Sequence, residues 1–308
     1  MSQQQSRNAT LDYTRFFAAI GIVAFHTSAP GASIGYAGLL FFVVLLAPLG
    51  LDQSAAKHQT LPAYLKSRAE RLLMPWLGWS LIYGALKLIE AAISGIPLNE
   101  QFGAWMLLSG PALHLWFLPF AFVFSLLLWL LLPLYRAEPK AHVHQILWLT
   151  FASLALALPI SASGAGLAIP LPQYAFALPG LCLGLAFAFE PRPIWRWATM
   201  AVLSLGWVAC GLPGGSLQLI IAGGAVLLCY AWPSQSTANS RLLANLSLTI
   251  YLAHPLVLSL AARLFHLPHK GGAIFTVGVI ATVLLCLVLP VALRSLPQKM
   301  PVQRLLGV

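Results

Sequence analysis

Long apolar stretches separated by short polar connections dominate the hydrophobic pattern of this sequence. A transmembrane helix needs about 20 mainly apolar residues, and ten stretches meet that requirement. Their predicted bounds are 10–29, 33–51, 75–94, 113–134, 145–161, 172–189, 195–212, 215–232, 243–263 and 271–294. The connections leave no room for a separate soluble domain. The pattern therefore predicts an all-α, polytopic membrane protein in which residues 1–308 form a single domain of about ten transmembrane helices.

The composition and the distribution of basic residues support this prediction. The chain is 59% hydrophobic and only 8% charged, whereas a soluble domain is about one quarter charged. With the N-terminus inside, fourteen of its 17 basic residues fall on the cytoplasmic side: Arg7, Arg15, Lys57, Lys66, Arg68, Arg71, Arg136, Lys140, Arg192, Arg196, Arg241, Arg294, Lys299 and Arg304. This asymmetry follows the positive-inside rule. It predicts cytoplasmic N- and C-termini and assigns the net charge of +10 to topology, so it gives no support to nucleic-acid binding.

The first apolar segment carries ionisable residues, which are costly in a membrane and usually face a cavity or a partner. In "RFFAAIGIVAFH", eleven helical steps return His26 to within roughly 20° of the Arg15 face, about 16 Å farther along the axis. Asp12, three residues before Arg15, shares that side. Two simpler interpretations stay open: Arg15 as an interfacial anchor that reaches lipid phosphates, and His26 as a packed structural residue.

The ninth segment, "LSLTIYLAHPLV", has a second polar face. Ser247, Tyr251 and His254 follow helical spacing, and Pro255 is expected to loosen the helix directly after the histidine. Such a face suits the lining of a cavity, but a seam of hydrogen bonds between helices explains it equally well.

The third and fourth segments add further polar candidates. Lys87 and Glu90 are spaced as a local ion pair, and Glu90, counted from its helix start, reaches the depth of His26 and is a candidate to orient the imidazole. His114 and Trp116 open "HLWFLPFAF", whose composition is typical of the interfacial belt. We interpret His114 as an interfacial residue, with contact to a substrate at the outer surface as the alternative.

A basic cluster precedes the third segment in the largest cytoplasmic loop, "YLKSRAERLLMPW". Lys66, Arg68 and Arg71 lie within six residues, and arginine binds phosphate in a bidentate manner. Attraction to anionic lipid explains the same cluster. The sequence has no nucleotide-binding glycine loop, no HExxH and no G-x-S-x-G, and its four cysteines lie in apolar stretches without CxxC spacing. We therefore predict no metal site.

Taken together, these motifs resemble the acyltransferase-3 family of integral membrane acyltransferases, which modify extracytoplasmic sugars such as O-antigen and exopolysaccharide. Arg15 and His26 match the family's Arg-x10-His pattern, and Arg68 and Arg71 match its Arg-x-x-Arg pattern. "HLWFLP" and "LSLTIYLAHP" resemble the family's fourth and late spans. The second span departs from the family, because "LFFVVLLAPLG" keeps two phenylalanines of an F-F-x-x-S-G-F stretch but lacks its serine and glycine.

The resemblance implies an acyltransferase of the bacterial inner membrane that uses acetyl-CoA as co-substrate and a carbohydrate hydroxyl as acceptor, with membrane lipid and polysaccharide-assembly proteins as further partners. Lys66, Arg68 and Arg71 would bind the donor. His26 and Arg15 would be catalytic: His26 as general base or as a transient acyl-histidine, Arg15 to steer the donor or to stabilise developing charge. The supporting or substrate-lining candidates are Asp12, Glu90, His114, Trp116, Tyr251 and His254.

Two other functions remain open at this point. Broken helices with polar midplane residues also suit a secondary transporter or a permease for a lipid-linked sugar, although no inverted repeat is evident. A non-catalytic partner in a polysaccharide-assembly complex is the third possibility.

Overall fold

The computed structural model describes residues 8–57, 60–136, 157–190, 192–293 and 302–307, and helices account for nearly all of them. Within these ranges the chain has no β-strand and one isolated antiparallel bridge, between Asn8 and Gln235. The helices are α1 Ala9–His26, α2 Ala32–Gly35, α3 Ala37–Lys57, α4 Leu61–Ser94, α5 Leu98–Gln101, α6 Met106–Ser109, a 3₁₀ helix Leu113–Trp116, α7 Phe117–Arg136, α8 157–163, α9 Leu171–Phe189, α10 Pro193–Ala209, α11 Pro213–Ala231, α12 Ala238–Leu264, α13 Gly272–Leu293 and α14 Val302–Leu306. The predicted all-α class is confirmed.

Seven helices of the described residues are long and apolar enough to cross a membrane, so the chain is an integral membrane protein. Asp12, Arg15 and His26 lower the hydropathy of α1, and α10, with 17 residues, is short for a bilayer. Most of the predicted segment 145–161 lies outside the described residues, as do Arg7, Lys140, Arg294 and Lys299. The count of about ten spans and the side of each terminus stay predictions.

One boundary differs from its prediction in a way that matters for the site. The third predicted span, 75–94, is only the second part of α4, a helix of 34 residues that begins at Leu61. Thr60 has the extended backbone of an N-cap and Pro62 lies in the first turn, which favours helix initiation. The basic cluster of Lys66, Arg68 and Arg71 is therefore helical, and the prediction of a loop there was wrong.

Helix α3 lies at the centre of the bundle and packs against α1, α7, α9 and α11. Small residues permit its closest approaches. A Cβ atom at Gly184 of α9 would collide with the backbone of Val44, and one at Gly38 would collide with the backbone of Ala18 on α1. These contacts bring α1, α3 and α9 close together, as small residues do between membrane helices. Helix α12 also packs against α1.

Contacts between sequence-distant residues gather the basic part of the chain at one end of the bundle. Arg136, at the end of α7, donates to the Ser54 carbonyl of α3 (3.0 Å), and Arg68 of α4 donates to the Ser54 hydroxyl (3.3 Å). The bridge between Asn8 and Gln235 brings the start of α1 to the segment before α12. Arg15, in the first half of α1, lines a cavity together with Arg68 and Arg71, so the last residue of α1, His26, lies toward the other end.

Candidate active site

Three histidine rings from separate parts of the chain meet away from the basic end. His26 ends α1, His114 lies in the 3₁₀ helix before α7, and His254 lies in α12. The ring centroids of His26 and His254 are 4.9 Å apart, and those of His114 and His254 are 5.4 Å apart. Within the described residues, no group of three or more potential ligands is arranged to hold a metal ion. A neutral imidazole has one N–H donor and one acceptor nitrogen, so the cluster brings both kinds of group together.

The proline after His254 explains the orientation of that ring. Pro255 has no backbone N–H, so it cannot donate to the Tyr251 carbonyl four residues earlier. His254 Nδ1 donates to this carbonyl instead (2.8 Å) and also lies 3.2 Å from the Ile250 carbonyl oxygen. Because both partners are acceptors, Nδ1 carries the proton and Nε2 carries the lone pair. His254 is fully buried, and its Nε2 has no hydrogen-bond partner among the described residues. The ring therefore presents an open acceptor within the histidine cluster.

His114 is held by the same stretch of α12. Its Nε2 lies 3.3 Å from the Leu252 carbonyl oxygen, which also accepts a hydrogen bond from the Tyr83 hydroxyl (2.8 Å). The Tyr251 hydroxyl donates to the backbone carbonyl of His114. His114 is therefore half-buried among aromatic rings, and its interpretation as an interfacial residue stays a prediction.

Two cavities lie along the α1 face that the sequence singled out. The first, here called the arginine cavity, has a volume of about 290 Å³ and contains the polar side chains of Arg15, Gln53, Arg68, Arg71 and Ser247 in an otherwise apolar lining. The second, the histidine cavity, has a volume of about 260 Å³ and is lined by Ile22, Phe25, His26, Tyr36, Leu39, Leu113, His114, Trp116, Gln173 and Tyr251.

The two cavities share a wall. Ile22, Leu39 and Tyr251 line both of them. Arg15 lines the arginine cavity and His26 lines the histidine cavity. Their eleven-residue spacing on α1 predicts that the two side chains lie on one face at different depths. The three shared side chains therefore form a common boundary of the two cavities.

Two of the three guanidinium groups in the arginine cavity belong to α4, at the two ends of the Arg-x-x-Arg stretch, and the third is that of Arg15. Arg68 donates weakly to the Gly50 carbonyl (3.4 Å) and lies over the Tyr64 ring, with 5.0 Å between the guanidinium carbon and the ring centroid. Arg71 lines the cavity beside it, and Lys66 does not, although both residues are exposed. The structure brings together two of the three basic residues predicted to bind the donor.

Two acidic candidates lie away from both cavities. Asp12 is buried and accepts hydrogen bonds from the hydroxyls of Ser236 (3.2 Å) and Ser240 (3.3 Å) at the start of α12. Glu90 is exposed on α4, and its predicted partner Lys87 instead contacts Gln101 (3.4 Å). The expected ion pair of Lys87 with Glu90, and the orientation of His26 by Glu90, were wrong.

Three residues of the site escaped the sequence analysis. Tyr83 lies in the apolar middle part of α4, and Tyr36 lies between α2 and α3; a single tyrosine in such a stretch gives no sign of function. Gln173 is the residue that the sequence could have indicated. Its amide is a polar group inside the apolar segment "LPQYAFALPG", where an evident hydrogen-bond partner is missing from the neighbouring sequence. Trp116, which was predicted, is buried and lines the histidine cavity.

Comparison with known proteins adds an independent finding. A family model, acyltransferase-3, described as an acyltransferase domain, matches residues 8–290. This range includes every residue that lines either cavity. No curated protein and no solved structure gives a significant match.

Proposed function

The chain belongs to the acyltransferase-3 family, and on this premise we propose that it transfers an acetyl group from cytoplasmic acetyl-CoA to a hydroxyl of an exopolysaccharide, an O-antigen or a lipid-linked sugar. The observation that carries the proposal is the pair of adjoining cavities on α1, one with arginines and one with histidines. We place the protein in a bacterial inner membrane, beside the proteins that assemble the acceptor.

The arginine cavity suits the donor. Coenzyme A is an anionic group carrier with a long, thin pantetheine arm. Arg68 and Arg71 supply guanidinium groups for its phosphates, and the apolar lining of the same cavity suits the arm. Arg15 lies about 16 Å along α1 from His26, too far to contact a thioester that reacts there. We therefore assign Arg15 to steering the donor.

The histidine cavity suits the reaction. The acceptor hydroxyl would lie against His26, whose imidazole takes its proton as the oxygen attacks the thioester carbonyl. The tetrahedral intermediate then collapses, the C–S bond breaks, and the thiolate of coenzyme A leaves and takes up the proton from His26. The products are an acyl ester and free coenzyme A. This direct transfer needs donor and acceptor bound together, and a trapped acyl-enzyme with ping-pong kinetics would refute it.

His254 is the best candidate to position His26. The lone pair on its Nε2 can accept an N–H of His26, which would direct the second nitrogen of His26 toward the acceptor. A histidine here takes the place that a carboxylate holds in the familiar catalytic triads.

The test uses purified protein in proteoliposomes, with labelled acetyl-CoA outside and a glycan acceptor present. We expect label in the glycan with the wild type, a loss of at least about a hundredfold in His26→Ala and a weaker loss in Arg15→Ala. His269→Ala removes an exposed histidine of the α12–α13 connection and is the matched control, which should retain full activity. Full product from His26→Ala would remove this histidine from the mechanism. Movement of glycan without acyl transfer would favour the permease.

A further inference from the structure

The amide of Gln173 has an unusual position in the histidine cavity. Gln173 lies in the first turn of α9 and lines the cavity together with His26. Its amide oxygen is buried and has no hydrogen-bond partner among the described residues. Gln218 of α11 offers a comparison, because its amide donates to the Ser33 carbonyl (2.8 Å) and thereby joins two helices. The Gln173 oxygen has no such structural use.

The walls around this oxygen are mostly aromatic. Tyr36 stacks on Phe25 (4.0 Å between ring centroids), and Trp116 contacts Tyr174 (5.7 Å). An apolar ligand could fill this cavity but would leave the amide oxygen unpaired, which is costly in a buried place. A sugar ring has flat apolar faces and hydroxyl groups at its edge. Its faces can pack on the aromatic rings while one hydroxyl donates to the amide oxygen.

The reaction chemistry decides which hydroxyl the amide can bind. The hydroxyl that attacks the thioester has one proton, and that proton goes to His26 in the proposed mechanism. The same group therefore cannot also donate to Gln173. A second hydroxyl on the acceptor is required.

We propose that Gln173 is a specificity-determining residue that accepts a hydrogen bond from a second hydroxyl of the acceptor while the first reacts at His26. The acceptor class is then a polyol with neighbouring hydroxyls, such as a hexose ring, and a simple alcohol is a poor substrate. This inference rests on the proposed acyl transfer and deepens it, by naming a residue on the acceptor side.

The experiment compares Gln173→Met, which keeps the side-chain length but removes the acceptor oxygen, with Gln218→Met as the matched control. Proteoliposomes receive labelled acetyl-CoA and one of three probes, decyl glucoside, decyl galactoside or decyl mannoside, below the concentration at which they form micelles. We expect Gln173→Met to raise KM for the best probe by about tenfold or more, the usual cost of an unpaired buried partner, with KM for acetyl-CoA unchanged. Gln218→Met should leave the ratio of the two KM values unchanged.

Monodeoxy versions of the best probe identify the hydroxyl concerned. For the wild type, one of these deoxy probes should have a KM that is higher than that of its parent by the same factor as the Gln173→Met substitution causes. Gln173→Met should not distinguish this deoxy probe from its parent, because the two changes remove the same hydrogen bond. Gln173→Glu keeps an acceptor oxygen and should still discriminate against this deoxy probe. It provides the test if Gln173→Met does not fold.

The outcomes separate the inference from the proposed function. If the wild type releases no coenzyme A in a His26-dependent manner, the proposed function fails. If it releases coenzyme A but acylates none of the three glycosides, the polyol class is refuted. If the Gln173 variants bind and acylate parent and deoxy probes like the wild type, or lose acceptor and donor affinity equally, Gln173 is not a specificity residue.

Discussion

Replacement of His254 gives a sharp test of the site, because the two ring nitrogens can be removed separately. Asparagine places an amide N–H near the position of Nδ1 and can still donate to the Tyr251 carbonyl that Pro255 leaves without its helical partner. It has nothing at the position of Nε2. Glutamine reaches the position of Nε2 and can supply an acceptor oxygen there. His254→Asn thus tests positioning of His26, and His254→Gln tests its rescue.

The size of the effect follows from the contacts. One neutral hydrogen bond contributes about 0.5–1.5 kcal/mol, and 1.4 kcal/mol corresponds to about a tenfold change in rate. We therefore expect kcat of His254→Asn to fall about tenfold and KM for acetyl-CoA to stay unchanged, since the proposed site for the donor phosphates is the other cavity. His254→Leu would instead leave the buried carbonyl unpaired, at a cost of about 1–3 kcal/mol in folding stability.

Steady-state kinetics in proteoliposomes, together with thermal unfolding of each variant, decide the matter. Partial recovery of kcat in His254→Gln supports a positioning role, although this variant lacks the Nδ1 donor and should lose about 1–3 kcal/mol of folding stability. Equal activity of the wild type and His254→Asn would refute the reasoning. So would a kcat in His254→Gln as low as that in His254→Asn, because the open acceptor would then have no part in catalysis.

Three further predictions use other parts of the chain. Arg71→Gln should raise KM for acetyl-CoA about tenfold. Lys66→Gln, a change outside the cavity, should leave this KM unchanged. Equal KM values for the two variants would argue against phosphate binding by Arg71. Leu46→Gly should raise the same KM about fivefold through lost apolar contact, while a lower KM would mean that this leucine obstructs the donor. Glu190 follows α9, and hydrogen bonds from Arg192 lower the pKa of its carboxyl group. These hydrogen bonds therefore stabilise the folded protein fully above the pKa that the carboxyl has in the unfolded state. The stabilisation is lost as the pH falls through the lowered pKa. Thermal unfolding should therefore show Glu190→Gln to be less stable than the wild type at neutral pH, with the difference shrinking as the pH falls below the ordinary carboxyl range; a constant difference would contradict this.

The fold was largely predictable because a membrane restricts the choices. An apolar segment in lipid must satisfy its own backbone, and the helix is the simple solution. The spacing of Arg15 and His26 was equally informative, since both lie on one straight helix and its geometry alone sets their distance. Their placement in two adjoining cavities depends on α3 and α12, which that spacing does not describe.

Relations between helices were the part that the sequence left undetermined. Glu90 was matched to His26 by counting from the start of each helix, but α4 begins at Leu61, fourteen residues before the predicted start. Depth counted in this way also says nothing about which side of the helix faces a neighbour. His114 was assigned to the interface from its aromatic surroundings, although the same aromatic composition occurs in a half-buried cluster. Contacts of this kind depend on packing and not on local pattern.

The departure in the second span becomes more specific in the structure. Aligned on Phe41 and Phe42, the serine and glycine of the family's F-F-x-x-S-G-F stretch correspond to Leu45 and Leu46, and both leucines line the arginine cavity. A small hydroxyl and a bare backbone are thus replaced by two branched apolar side chains at the place where the pantetheine arm would lie. The change makes this cavity narrower and less polar without touching His26, Arg68 or Arg71. The departure therefore bears on how the donor arm fits, and the groups that would bind its phosphates and perform the reaction are retained.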